Sequence, residues 1–105
     1  MEVPGMAAKI LMEVRVNIKT EKEDEFNDWY NQVHLPEILA VPGFISGRRF
    51  KRISGDKIKY MTLYELESFE PLKSEAYRKA RGWDEFEPFI LDISWNVYEQ
   101  IYPEE

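Results

Sequence analysis

Residues 10–18, ILMEVRVNI, decide the fold of this chain because they carry its clearest strand pattern. Apolar side chains at the even positions alternate with others that include Glu13, Arg15 and Asn17. A period of two is typical of a strand that buries one face. Glu13 and Arg15 share the other face, where we expect an ion pair of mainly structural value. The residues that follow this strand must then cover its apolar face.

The segment after the strand has the signals of a helix start. Residues 20–23, TEKE, match a capping box, and further acidic residues through Glu25 suit the positive end of a helix dipole. Pro36 either ends this helix or opens a second short one through Ala40. The predicted buried stripe of the helix consists of Phe26, Trp29, Tyr30 and Val33.

The remaining segments predict three more strands and a second helix. Residues 44–53 and 58–66 form strands on either side of a hairpin loop at 54–57. A short helix is expected from Pro71 to about Ala80, helped by Ser68 or Glu70 and stopped by Arg81 and Gly82. After a loop or short helical turn, the last strand runs from about residue 92 to 102, with Ile93, Trp95, Val97 and Ile101 on one side.

This β-α-β-β-α-β order predicts an α+β fold of the ferredoxin-like type. Right-handed crossovers place both helices on one face of a four-stranded antiparallel sheet, with the first and third strands central. The other face is left uncovered. Strand parity leaves open whether Tyr60 and Tyr64, or Met61 and Leu63, lie there. A contiguous apolar patch on that face predicts a homodimer packed sheet to sheet.

Size and charge limit the function classes. A chain of 105 residues with 44% apolar content suits one domain, expected at 9–102, after a flexible segment at 1–8 and before a tail at 103–105. A net charge of −6 disfavours nucleic acid and anionic membranes as partners. The N-terminus lacks the basic region and long apolar run of a secretory signal, so we expect a soluble, cytoplasmic protein.

Composition also narrows the chemistry. The chain has no cysteine and one histidine, His34, so a thiol nucleophile, a zinc-thiolate site or a histidine-rich metal site is excluded. The sequence has no phosphate-binding loop, EF-hand or GxSxG motif. We therefore expect neither a metal nor a nucleotide cofactor.

His34 is the main candidate for chemistry. On a helical wheel with Phe26 at zero, it lies about 80° from the centre of the apolar stripe, at its border. An imidazole there could face a ligand and exchange a proton near pH 7. The structural alternative is that His34 caps a carbonyl freed by Pro36 or lies at the rim of the core.

Aromatic residues are abundant and suit a flat apolar ligand. Six tyrosines and three tryptophans include Tyr30 and Tyr64, whose hydroxyls could orient such a ligand. The alternative is that these rings are simply core. The basic stretch 48–52, RRFKR, could draw in an anion or RNA, but protection of an edge strand is the favoured interpretation.

Residues 26–50, FNDWYNQVHLPEILAVPGFISGRRF, resemble the EthD-type branch of the dimeric α/β-barrel superfamily. Members of this group have a W/Y-x-x-x-H-x-P pattern on the first helix and a P-G-F turn into the second strand. The match falls on Trp29 or Tyr30, on His34 and Pro36, and on the turn at 42–44.

The resemblance implies a dimeric barrel with a pocket between helices and sheet in each protomer, and activity without metal or organic cofactor. Relatives include cyclases, dehydratases and decarboxylases of polyketide-like phenols and cofactor-independent oxygenases. The further histidine of many such cyclases is absent here. Haem-degrading relatives have a histidine on the second helix, where this chain has Tyr77, which disfavours haem ligation.

Two functions follow from these residues. The leading hypothesis is a cofactor-independent acid/base enzyme for a small apolar, aromatic or polyketide-like molecule. His34 would be the acid/base, with Tyr30 and Tyr64 as hydrogen-bond donors. The predicted walls of its pocket are Trp29, Tyr60, Trp83 and Phe86. The alternative is a non-catalytic homodimer that binds a small molecule or has a regulatory role.

Overall fold

A four-stranded antiparallel sheet runs through the protein, for which a computed structural model describes residues 9–103. The predicted segment 1–8 lies outside the described residues. The strands are β1 (Ile10–Ile18), β2 (Phe44–Lys51), β3 (Tyr60–Leu66) and β4 (Ile90–Glu99). Their order is β2-β3-β1-β4, which confirms the ferredoxin-like arrangement with the first and third strands at the centre.

Three α-helices and several tighter or wider turns connect the strands. Helices α1 (Glu23–Trp29) and α2 (Leu35–Leu39) are joined by a π-helical turn at Tyr30–His34. Pro36 is in the first turn of α2, so it opens a second helix. Helix α3 spans Glu75–Ala80. The 3₁₀ turns are Thr20–Lys22, Glu70–Lys73 and Asp84–Phe89.

The helix starts differ from their predictions. No side chain caps α1, so the capping box predicted at 20–23 is wrong; a 3₁₀ turn leads into the helix instead. The cap of α3 is Ser74, whose Oγ accepts the backbone N–H of Tyr77 at 3.1 Å. Ser68 Oγ accepts only the Glu70 N–H, one turn earlier.

The predicted ion pair between Glu13 and Arg15 does not form. Arg15 reaches instead across the sheet to Asp56 in the β2–β3 loop, at 2.5 Å. Asn17 accepts the Lys59 N–H on the same loop at 2.8 Å. These contacts hold a connection that is longer than predicted, because β2 ends at Lys51 and β3 begins at Tyr60.

The helices cover one face of the sheet and settle the parity of β3. Tyr64 and Thr62 are buried on the helix side, while Met61 and Leu63 lie on the uncovered side. The uncovered face is less apolar than expected, since polar side chains of β1 and β4 interrupt its apolar ones. Its apolar members are Leu11, Phe50, Met61, Leu63 and Tyr98, and its polar members include Glu13, Arg15, Ser94 and Asn96.

The π-helical turn exchanges the roles of two neighbouring residues. In a turn of this kind each residue advances around the axis by less than the 100° of an α-helix, because hydrogen bonds join residues five apart. His34 therefore rotates from the border of the stripe into the interior, where it is 5% exposed. Val33 rotates outward and is 41% exposed, so its predicted place in the core is wrong.

Because of this exchange, replacement of valine by threonine should cost less stability at position 33 than at a buried position. Val33→Thr should change the free energy of unfolding by less than about 0.5 kcal/mol, because the side chain is half in solvent. Val16→Thr, at a position only 1% exposed, should cost about 1–3 kcal/mol by burying a hydroxyl group. Urea unfolding of both variants measures the difference. Equal losses at the two positions would show that Val33 is in the core.

Candidate functional site

A cavity of about 440 Å³ lies between the helices and the sheet. Its inner wall is formed by β1, β3 and the helix around the π-helical turn. Its outer wall is formed by β4 and the end of α3. The lining residues are Met12, Val14, Tyr30, His34, Ile38, Tyr64, Tyr77, Arg78, Arg81, Gly82, Trp83, Ile93 and Trp95. The volume is within the range of small-molecule sites, about 300–1,000 Å³.

His34 is held in this wall by aromatic rings. Its imidazole stacks on Trp29, with ring centroids 4.7 Å apart and an angle of 13° between the planes. Tyr30 meets it edge to face at 4.8 Å, and Trp83 lies at 5.9 Å. Within residues 9–103 no group hydrogen-bonds the imidazole, so packing alone orients it and its nitrogens remain available to a ligand.

The surroundings keep His34 uncharged. Burial lowers the pKa of His34 from 6.5 to about 4, and the positive charge of Arg49 acts in the same direction. The carboxylate of Asp84 opposes both, but its influence is weaker than that of burial. At neutral pH the imidazole is therefore a neutral group that can accept a proton.

Two phenols in the same wall form a pair. The hydroxyl oxygens of Tyr30 and Tyr64 are 3.0 Å apart, and either can donate to the other. Burial raises the pKa of both, so each stays protonated at neutral pH. Because one O–H lies between the two oxygens, the pair supplies one free hydrogen-bond donor and no negative charge. Gly47 makes room for it, because a Cβ there would lie 3.0 Å from the Tyr64 ring and 2.9 Å from Leu35.

Arg49 fixes the helix that carries His34 and Tyr30. From β2 its guanidinium donates to Asn27 at 3.0 Å and to Asn31 at 2.9 Å, one on each side of the start of the π-helical turn. It also lies over the Tyr30 ring, 4.3 Å from the centroid. The basic stretch on β2 is thus only partly an edge guard, since Arg49 points inward while Arg48 points to the uncovered face.

The residues predicted for the site divide into two groups. His34, Tyr30, Tyr64 and Trp83 all line the cavity, and Trp29 supports the imidazole from behind. Tyr60 and Phe86 do not line it. The Tyr60 hydroxyl donates to Glu23 at the start of α1, and Phe86 packs edge to face on Phe26 in the core.

Sequence reasoning missed several lining residues. Trp95 and Ile93 of β4 are 50% and 54% exposed and form the outer wall. Trp95 Nε1 donates to Met12 Sδ at 3.2 Å, as does the Tyr77 hydroxyl at 3.5 Å. The one available signal was the period of two in β4, which placed Ile93 and Trp95 on one side without showing which side. Arg78 and Arg81 gave no signal beyond their charge.

Two further observations concern the described part of the chain. Among residues 9–103 no three histidine or carboxylate side chains come together in a way that would hold a metal ion. None of the helices in that range has the length and apolar character needed to cross a bilayer.

A family model described as a domain of unknown function, DUF4286, matches residues 9–82. No curated protein matches the sequence significantly.

Solved structures with this fold share little sequence with the chain. An ethyl tert-butyl ether D (EthD) family protein from Bacillus halodurans has a TM-score of 0.65 at 11% identity, over 88% of this chain and 99% of its own. The haem degrader MhuD from Mycobacterium tuberculosis, described with two haems in its active site, has a TM-score of 0.67 at 14% identity, over 91% and 99%.

A third structure names the fold. A DABB family protein with a ferredoxin-like fold from Mesorhizobium loti has a TM-score of 0.62 at 15% identity, over 85% of this chain and 93% of its own. The fold expected from the resemblance to EthD-type proteins is therefore confirmed.

The lowered pKa of His34 predicts a pH-dependent stability. The unfolded chain takes up a proton below pH 6.5, whereas the folded chain does so only near pH 4. Stability from this group is therefore complete above pH 6.5 and is lost as the pH falls from 6.5 to about 4. The difference in unfolding free energy between wild type and His34→Gln should fall by about 3 kcal/mol between pH 7 and pH 4. Urea titrations across that range measure it, and a constant difference would contradict a buried neutral imidazole.

Proposed function

The chain belongs to the DUF4286 family, and we propose that it is a cofactor-independent acid/base enzyme for a small, flat, mostly apolar molecule. The observation that carries this proposal is the meeting of a neutral imidazole and a phenol pair in one cavity. His34 supplies the proton acceptor, and the Tyr30–Tyr64 pair supplies the hydrogen-bond donor. The reaction is of the cyclase, dehydratase, decarboxylase or oxygenase-like type.

The arrangement fits a proton transfer as the chemical step. His34 takes a proton from an acidic C–H or O–H group of the substrate and becomes an imidazolium ion. The negative charge that develops on the substrate oxygen is stabilised by a hydrogen bond from Tyr64 or Tyr30. The same imidazolium ion then returns the proton to the product. The substrate's own negative charge raises the pKa of His34 during this step and so strengthens the base.

The shape of the cavity supports a flat aromatic or polyketide-like substrate. Its volume of about 440 Å³ exceeds the lower limit of a ligand site, which disfavours a purely structural role for the aromatic residues. Trp83, Trp95 and the tyrosines give planar walls. Most of the lining is apolar, so binding removes apolar surface from water.

The second candidate function is non-catalytic: the protein would bind or sense a small molecule. The observation that favours it is the pKa of about 4 for His34, which makes the imidazole a weak base before a ligand is bound. The two functions share one cavity and differ only in turnover.

Three variants separate these functions. Flat phenols and quinones are first screened by thermal shift; a ligand at a hundred times its Kd should add about 2.7 kcal/mol to the stability. For an enzyme, His34→Gln should lower the turnover of a bound compound by about 10²–10⁴ and Tyr64→Phe should lower it less. Tyr60→Phe is the control, because Tyr60 does not line the cavity. Full turnover by His34→Gln would exclude His34 as the acid/base, and binding without turnover in wild type would favour the second function.

We also propose that the protein acts in the cytoplasm, a compartment that suits a chain without cysteine.

We further propose that two copies pair through the uncovered sheet faces. Leu63 is near the middle of that face, between Arg48 on β2 and Glu13 on β1. Burial of such central side chains in a two-fold interface supports pairing despite the polar residues around them.

The proposed pairing predicts a change in mass. Leu63→Arg should convert a dimer into a monomer, since it places a charge in the middle of each face. Ile53→Arg, at a loop position that is 95% exposed, should leave the dimer intact. Light scattering coupled to size-exclusion chromatography gives the mass of each variant. A wild-type protein that is monomeric at micromolar concentration would refute this pairing.

A further inference from the structure

The mouth of the cavity carries positive charge that the proposed proton transfer does not use. Arg78 and Arg81, at the end of α3, both line the cavity. Arg78 is neutralised by Glu75, whose Oε1 accepts its Nε–H at 3.0 Å. Within residues 9–103 Arg81 has no carboxylate within ion-pair distance. One uncompensated cation thus stands at the entrance of a mostly apolar site, in a chain whose net charge is −6.

Arg81 is held at the entrance by its surroundings. Its backbone N–H donates to the Tyr77 carbonyl at 2.9 Å, and Gly82, with φ of +121°, turns the chain away directly after it. The guanidinium lies over the ring of Tyr77, 5.9 Å from the centroid. Because Tyr77 is buried in the cavity wall, this contact keeps the guanidinium beside the opening.

Arg78 and Arg81 also line a second, smaller cavity. It has a volume of about 230 Å³ and shares Tyr77, Arg78, Arg81 and Trp95 with the larger one. Lys73 and Glu75 also line it, and Lys73 pairs with Glu70 at 3.4 Å. Among the cations of residues 9–103 that line these two cavities, Lys73 and Arg78 are paired with carboxylates, which leaves Arg81 to bind an anion.

We propose that the substrate is an amphipathic carboxylate, with its flat apolar body in the larger cavity and its carboxylate bound by Arg81 at the mouth. This inference rests on the proposed function and adds the class of substrate. A guanidinium presents paired N–H donors that match a carboxylate. One uncompensated positive charge balances a single negative charge, which favours a carboxylate over a phosphate dianion.

The position of the carboxylate has a consequence for His34. The negative charge of the bound anion, like that of Asp84, raises the pKa of His34 toward neutral pH. A neutral ligand of the same shape does not. The site would then distinguish the substrate from an apolar molecule both in binding and in the strength of the base.

The test compares two probes of the same shape, 2-naphthoate and 2-naphthamide, by calorimetric titration. Wild-type protein should bind the carboxylate about tenfold more tightly than the amide. Arg81→Gln should remove that preference and leave the Kd of the amide within about twofold. Arg81→Lys should retain part of it. Lys79→Gln is the control, because it removes an exposed cation from the same helix without touching either cavity.

A fourth variant separates failure of this inference from failure of the proposed function. Ile93→Trp places a larger side chain at a half-exposed position of the outer wall and so reduces the space in the cavity. It should weaken the binding of both probes alike. If the amide binds and Ile93→Trp weakens it, the cavity is a ligand site. Equal affinity for the two probes, or a preference for the carboxylate that persists in Arg81→Gln, then refutes the proposed carboxylate substrate but not the ligand site. If neither probe binds to wild type, the carboxylate and the proposed site are both refuted.

Discussion

The contact of Arg49 with the first helix is the interaction on which the rest of the site depends. Its guanidinium joins β2 to Asn27 in α1 and to Asn31 in the π-helical turn. A wide turn of this kind is rare and needs support from its surroundings. Because the two asparagines are bound to one rigid group, the helix is held with Tyr30 and His34 facing the sheet. Removal of the guanidinium would take away its hydrogen bonds to both asparagines and its contact with the Tyr30 ring.

Aromatic side chains also hold His34 in place. Phe26 contacts Trp29, Tyr30, Trp83 and Phe86 at centroid distances of 5.6–5.9 Å, two of them edge to face. This cluster adjoins a second one around Met12, Ile38 and Leu66, and Leu35 and Trp83 touch both. The imidazole is at the boundary between them. Packing therefore orients it, since no group within residues 9–103 hydrogen-bonds the imidazole.

Sequence alone predicts the sheet well, because alternation in β1 and the turn signals around β2 are local properties. The position of His34 was harder to predict. A helical wheel assumes a constant 100° per residue, and no residue between Tyr30 and His34 signals the wider turn. Tyr60 and Tyr64 share one face of β3, yet only Tyr64 reaches the cavity, since Glu23 binds the Tyr60 hydroxyl. The sequence places Arg81 at the end of a helix but does not place it beside the cavity, because that position depends on the fold around Tyr77.

The half-exposed outer wall of the cavity is formed by residues other than those proposed for chemistry. The groups proposed for chemistry are on buried elements, where substitution disturbs the core. Ile93 and Trp95 are on an edge strand and are half in solvent, so their replacement costs little stability. Natural variation can therefore alter the length and width of the accepted molecule through β4 alone. Such a division would let one scaffold accept different molecules by single substitutions while the groups proposed for proton transfer stay unchanged.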